Sequence, residues 1–286
     1  MTPTGSSDPS AVAPRIARVL ARAGLASRRG AERLISEGRV TVNGVVLTSP
    51  AVRVAPFDAI AVDGIPLPAP EPSRLFRYHK PRGLLTTTRD DRGRPTVFES
   101  LPGWLPRVVS VGRLDLNSEG LLLFTNDGGL KRRFELPKSG MIRTYRVRAL
   151  GRPVDSGLDQ LRRGLSLDDE SFRPMSISLD SRRNAGANCW LTVELNEGRN
   201  REIRRAFAAI GLTVNRLIRT AYGPFRLGDL APGAVEEVSP AELESTFARP
   251  AATIGQRTRG KSRRKDRSGG RPRNPARRKP SASAER

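Results

Sequence analysis

Residues 111–128 read Val-Gly-Arg-Leu-Asp-Leu-Asn-Ser-Glu-Gly-Leu-Leu-Leu-Phe-Thr-Asn-Asp-Gly. The string opens on the end of one apolar run, Val108-Val109-Ser110-Val111, and contains a second, Leu121 to Phe124. Short apolar runs of this kind read as buried strands. Between them stands the carboxylate of Asp115, bracketed by Gly112 and Gly120, which permit a tight backbone path. Arg113 and Ser118 lie beside it. A carboxylate held between buried strands needs a partner or a purpose, because an unpaired buried charge is costly. An Asp that merely closes a turn between two strands is the alternative.

Around this string the pattern predicts strands at Leu75–His79, Arg107–Val111, Leu121–Thr125, Arg143–Leu150, Met175–Leu179, Asn188–Leu195, Val214–Arg219 and Val235–Val238. Helices are predicted over 127–135, 154–163 and 199–211. Many strands with few, scattered helices indicate an α+β domain, residues 74–245, on a largely antiparallel sheet. Upstream, Ile16, Val19, Leu20 and Ala23 share one helix face, and Gly24 ends the helix. Ser27 caps a second helix carrying Ala31, Leu34 and Ile35, stopped by Gly38. Val40-Thr41-Val42, Asn43-Gly44 and Val45-Val46-Leu47 read as strand, hairpin turn and strand, with a further strand from Ala59 to Val62. Residues 15–66 thus form a small separate unit, and the proline-rich 67–73 an extended linker.

The net charge is +22, and it is unevenly spread. Residues 248–286 hold 14 Lys or Arg against 2 Asp or Glu. Poor in aliphatics, the segment from 246 to 286 cannot offset its chain entropy by burial and is expected to be disordered, as are residues 1–14. Such a tail attracts polyanions in a salt-dependent way. One cysteine, Cys189, and one histidine, His79, leave no internal disulfide and too few ligands for a zinc site, so no metal is expected. No stretch approaches the ~20 apolar residues of a membrane span, and residues 1–14 do not read as a signal peptide. A cytoplasmic protein without membrane partners is expected.

Three more segments bear on chemistry. Lys80-Pro81-Arg82-Gly83 follows a strand, and Lys80 is a candidate phosphate contact. In Arg143-Thr144-Tyr145-Arg146-Val147, alternation puts Tyr145 on the side of the core aliphatics. In Glu197-Gly198-Arg199-Asn200-Arg201-Glu202-Ile203-Arg204-Arg205, four arginines fall within seven residues at a helix start.

Helix, Gly, Ser-Arg-Arg, helix, Gly-Arg-Val-Thr-Val-Asn-Gly resembles the S4 RNA-binding domain over about fifty residues. Arg15, Arg28, Arg29, Arg39 and Asn43 would then form a basic rim that reads RNA mainly by shape. Gly-Arg-Leu-Asp with Gly-Leu-Leu-Leu resembles the signature of the RsuA-type ribosomal RNA pseudouridine synthases, with Ser118 where that family carries Thr. The resemblance runs from about residue 15 to 240. It implies a core of two joined α/β subdomains around a mixed, largely antiparallel sheet, with a cleft across it. It makes Asp115 the catalytic residue, Tyr145 the ring stacked on the target base, and Arg204 the partner of Asp115. A bidentate pair of that kind would keep the carboxylate ionised. Arg113 is placed to fill the gap left by a flipped base, and Arg199, Arg201 and Arg205 to contact RNA. The implied reaction converts uridine to pseudouridine and needs no cofactor. The motifs look most like the large-subunit (23S) rRNA enzymes. A small-subunit (16S) enzyme is the nearest rival, and a non-catalytic S4-containing assembly factor is a rival from another class. The chain is expected to act as a monomer on ribosomal RNA.

Overall fold

The computed structural model describes residues 13–167, 170–180 and 187–248. The N-terminal unit comprises α1 (Ile16–Arg22), α2 (Arg28–Ser36) and four short strands, β1 (Val40–Val42), β2 (Val45–Val46), β3 (Ile60–Val62) and β4 (Ile65–Pro66). The strands are ordered β2-β1-β3-β4. Ser27 caps α2, its Oγ accepting from Gly30 N at 2.9 Å. Asn43 and Gly44 both take positive φ, 52° and 80°, which closes the β1–β2 hairpin as the sequence predicts. Ile16, Leu20, Ala31, Ile35 and Val40 are fully buried between the helices and the sheet. This unit begins earlier than expected. Ala13 O accepts from Arg53 Nη1 at 2.6 Å, and Pro14 O accepts from Val54 N at 3.1 Å. Residues 13 and 14 are therefore tied down, and only 1–12 of the expected disordered start lie outside the described residues.

The larger unit contains β5 (Leu75–Lys80), β6 (Val109–Val111), β7 (Glu119–Thr125), α3 (Gly128–Glu135), β8 (Arg143–Leu150), α4 (Asp155–Arg163), β9 (Leu165–Leu167), β10 (Glu170–Phe172), β11 (Ser176–Leu179), β12 (Asn188–Leu195), α5 (Glu202–Ala209), β13 (Thr213–Tyr222), β14 (Phe225–Arg226), β15 (Val235–Glu237) and α6 (Pro240–Ala248). Nine strands form one sheet, ordered β11-β12-β8-β13-β7-β5-β15, with β14 on β13 and β6 on β7. Every pairing is antiparallel except β13 with β7, where Ile218 faces Glu119 and Arg219 faces Gly120. That parallel seam joins the two halves of the sheet, and the α+β expectation holds.

The seam is tight because of Gly120. Its φ is +101°, and a Cβ there would lie 2.3 Å from the Arg219 carbonyl oxygen. All seven residues of β7 are buried. Leu122 and Phe124 belong to the larger core on one face, where the Tyr78 and Phe98 rings lie 5.7 and 5.4 Å from that of Phe124. Leu121 and Leu123 pack with Leu130, Phe134 and Phe225 on the other. Each such side chain contributes about 1.5–3 kcal/mol of burial. A strand covered on both faces loses the polar alternation, which is why 121–124 reads as one apolar run.

Three stretches depart from the sequence expectation. The helix predicted from 199 starts at Glu202, since Arg201 holds φ 49°, a left-handed conformation that no α-helix continues. β13 extends to Tyr222 through two register shifts that break its alternation. The chain does not lose structure at 246, because α6 runs to Ala248. Phe247 packs on Phe134, ring centroids 5.1 Å apart, under the Arg133 guanidinium at 3.5 Å. Pro240 at the helix start and the i,i+4 pair Leu243 and Phe247 favour this helix. Residues 249–286 of the expected tail lie outside the described residues.

Candidate active site

Asp115 sits in the loop between β6 and β7, half-buried, where the parallel seam begins. Its loop has no strand partner, so each main-chain carbonyl must find a donor elsewhere. Arg113 O accepts from Arg219 Nη1 at 3.4 Å. Leu114 O accepts from Thr86 Oγ1 at 2.8 Å. Asp115 O accepts from Lys80 Nζ at 3.2 Å and from Ser118 N at 3.0 Å. Leu116 O accepts from Gly83 N at 2.8 Å. Asn117 O accepts from Arg204 Nη2 at 3.2 Å, and Ser118 O from Lys80 Nζ at 2.8 Å. Every carbonyl from 113 to 118 is held, four of them by Lys80, Arg204 or Arg219.

Three cations thus grip the backbone of the Asp115 loop and leave the Asp115 side chain open. The negative charge is felt at Lys80 and Arg204, yet among the described residues no ion pair closes on the carboxylate. The expected bidentate Arg204–Asp115 pair is therefore not formed. The reason is competition: Arg204 Nη1 donates to Val214 O at 2.8 Å, which turns the fork toward main-chain oxygens. Burial lowers the Arg204 pKa, and neighbouring Arg201 lowers it further.

Lys80 is also not where the sequence reading put it. It is 0 % exposed and donates to Pro81 O, Asp115 O and Ser118 O, so it is a clamp on the Asp115 loop and no phosphate contact. Desolvation pushes its amine down to about 8, against the opposing pull of Asp115 and Glu119.

A cavity of about 520 Å³ opens on this loop. Asp115 lines it together with Tyr145, Leu195, Ile203, Leu217, Arg219 and Tyr222. Tyr145 reaches it from β8 and is 8 % exposed. Arg143 braces the floor by donating to Asn196 O at 3.1 Å and to the Tyr222 hydroxyl at 3.1 Å. Arg113 and Arg201 stand exposed at the rim. Arg199 also lines the cavity but is engaged by Glu197 at 3.1 Å and Glu170 at 3.0 Å. Arg205 pairs with Glu170 at 2.6 Å and lies over the Phe172 ring. Arg204 does not line the cavity.

Sequence reading passed over two lining residues. Glu202 is 3 % exposed. Its Oε2 accepts from Arg199 N at 3.0 Å. Burial, with a smaller contribution from its hydrogen bond with Glu197, pushes its carboxyl up to about 7. Arg219 is 2 % exposed, beside the aliphatic pair Leu217 and Ile218 in β13. An arginine at a buried strand position was the available signal.

On the N-terminal unit, Arg15, Arg28 and Arg29 are exposed. Arg39 is engaged by Asp63 through two bonds of 2.8 and 2.6 Å and by Glu37 at 3.2 Å. Asn43 holds the hairpin, donating to Asp58 Oδ1 at 2.9 Å and accepting from Ala59 N at 2.9 Å. Both residues remain exposed, each held by these partners at the surface of the unit.

Residues 14–60 match the S4 domain and residues 74–209 the RNA pseudouridylate synthase family. An uncharacterized RNA pseudouridine synthase of Rickettsia bellii (strain RML369-C) is 51% identical over 225 residues, 79% of this chain and 96% of that one. The ribosomal large subunit pseudouridine synthase B of Yersinia pestis is 43% identical over 219 residues, covering 74% of this chain and 68% of that one. A crystal structure of a pseudouridylate synthase superposes with a TM-score of 0.58 at 25% identity, over 81% of this chain and 99% of that one.

Proposed function

Because the chain belongs to the RNA pseudouridine synthase family, we propose that the cavity beside Asp115 isomerises a uridine of large-subunit ribosomal RNA. The observation that carries this reading is the Asp115 loop itself. Its backbone is fixed at every carbonyl while the carboxylate faces the cavity unpaired. Preorganisation of that kind suits a nucleophile or base that must meet a substrate atom.

Pseudouridine formation breaks the N-glycosidic bond, turns the base and rejoins it to the ribose through carbon. Atoms and electrons balance within the nucleotide. Asp115 supplies the carboxylate that acts on the target nucleotide. Tyr145 supplies the aromatic wall on which a flipped uracil stacks and assists removal of the C5 proton. Arg204 acts through the Asn117 carbonyl and its charge, so it is a positioning residue. Arg113 fills the space that the flipped base vacates. Flipping costs a few kcal/mol and least in irregular RNA, so a loop or bulge is the expected target.

The S4-like unit presents Arg15, Arg28 and Arg29 to the RNA. Likeness to the large-subunit enzyme supports the substrate choice. We further propose that the protein acts as a monomer, and a ribosomal substrate supports a cytoplasmic site of action. Incubating the purified protein with large- and small-subunit rRNA transcripts and mapping pseudouridine in each tests the reading. Conversion at one site of the large-subunit transcript is expected. Conversion confined to the small-subunit transcript would transfer the assignment, and none in either would remove it.

A further inference from the structure

We propose that Arg219 is a further substrate-binding residue, its spare N–H donating to a carbonyl oxygen of the uracil that the cavity takes in. This rests on the isomerase reading above and adds a recognition contact to it. Arg219 is almost wholly buried, and no carboxylate pairs with it among the described residues. Its Nε donates to Leu121 O at 2.7 Å and its Nη1 to Arg113 O at 3.4 Å. These two bonds fix the guanidinium against both flanks of the Asp115 loop. Nη2 remains, buried and without an acceptor. A buried donor of this kind is costly, and an incoming acceptor recovers the cost on binding.

The position suits a base. Arg219 lines the same cavity as Asp115 and Tyr145. The β8–β13 register sets Arg219 directly opposite Tyr145. Directly opposed residues share a face, with Cβ atoms about 5 Å apart. A pyrimidine stacked on Tyr145 therefore lies on the same face of the sheet as the Arg219 side chain, at the wall of the same cavity. Uracil offers two carbonyl oxygens at its edge, and a guanidinium is donor-only, so the pairing is complementary. Arg204, which the sequence singles out, spends two of its three nitrogens on Val214 O and Asn117 O and stands outside the cavity wall.

The test compares single-turnover rates on one rRNA fragment whose target is uridine, 2-thiouridine or 4-thiouridine. Wild type, Arg219→Met and Arg219→Lys are assayed on each. Sulfur accepts hydrogen bonds poorly. Wild type should lose about tenfold on one thio substrate, the worth of one bond from a charged donor. Arg219→Met should be slow on uridine and show no further loss on that thio substrate. Arg219→Lys should recover only part of the rate, having a cation without the fork. Equal wild-type rates on all three substrates overturn the proposal, and so does a thio penalty undiminished in Arg219→Met. The wild-type comparison stands even where Arg219→Met does not fold, which its melting temperature reveals. If wild type converts no uridine in any rRNA, both readings fall. If it converts uridine without a thio penalty, only the Arg219 interaction falls.

Discussion

At the scale of the residue, three cations work on main-chain oxygens rather than on a carboxylate. Lys80 is the most exacting of them, because an ammonium has three N–H groups and three carbonyls take them. Its amine is pushed down to about 8 from an ordinary 10.5. Once neutral it keeps only two donors, so the rate should fall as pH rises past about 8 while the loop relaxes. Stability moves the other way. Between the folded and unfolded values the unfolded chain binds more protons, so raising the pH through that window stabilises the fold. Melting curves and single-turnover rates from about pH 7 to pH 10 should diverge in this manner in wild type, and Lys80→Met should lose both trends. A rate that stays level across that range would count against the clamp. The places of Asp115 and Tyr145 beside the cavity were legible through the strings that resemble the family's motifs, Gly-Arg-Leu-Asp at 112–115 and Thr-Tyr at 144–145. Lys80 and Arg204 were legible as basic residues near the site, but their partners were not. Those partners are backbone carbonyls, which carry no sequence signature.

At the scale of the element, the strands and helices that carry the site follow from apolar period and caps, and the errors sit where backbone geometry overrides pattern. Arg201 in a left-handed conformation delays α5 by three residues and turns Glu202 inward. The consequence is a titration. The folded carboxyl of Glu202 lies at about 7, above its ordinary 4.5, so between these values the folded chain binds more protons than the unfolded. Stability therefore falls as pH rises through that window. The effect is on the order of 3 kcal/mol, since each tenfold gain in proton affinity on folding is worth about 1.4 kcal/mol. Thermal melts at about pH 5 and pH 8 should show wild type losing stability relative to Glu202→Gln. Parallel curves for the two proteins would contradict the buried, proton-holding Glu202. The parallel seam of β7 and β13 was not legible, because pairing direction is settled between residues far apart in sequence. Gly120 was read for its backbone freedom, which its φ of +101° uses, while the Arg219 backbone packed against it was not legible.

At the scale of the whole molecule, an S4-like unit precedes an isomerase core, and both were legible from their strings. The bonds between them were not. Arg107 Nη1 donates to Ala26 O at 2.7 Å and Arg22 lies 3.8 Å from Asp127, pairings that spacing along the chain does not announce. Charge distribution, by contrast, is read directly from composition. Residues 249–286 hold 14 of the 51 Lys and Arg. Truncation after Ala248 should weaken rRNA binding and flatten the plot of log affinity against log salt, by about 0.7–0.9 in slope for each phosphate that the segment neutralises. The melting temperature should stay unchanged. An unaltered slope would mean that this basic segment does not touch RNA.

Release of tritium from rRNA carrying C5-tritiated uridine bears most directly on the carboxylate beside the cavity. Wild type should release the label of its target uridine. Asp115→Asn, isosteric and held by the same backbone bonds, should bind the RNA with equal affinity and release none. Release by Asp115→Asn at the wild-type rate would contradict the role given to Asp115.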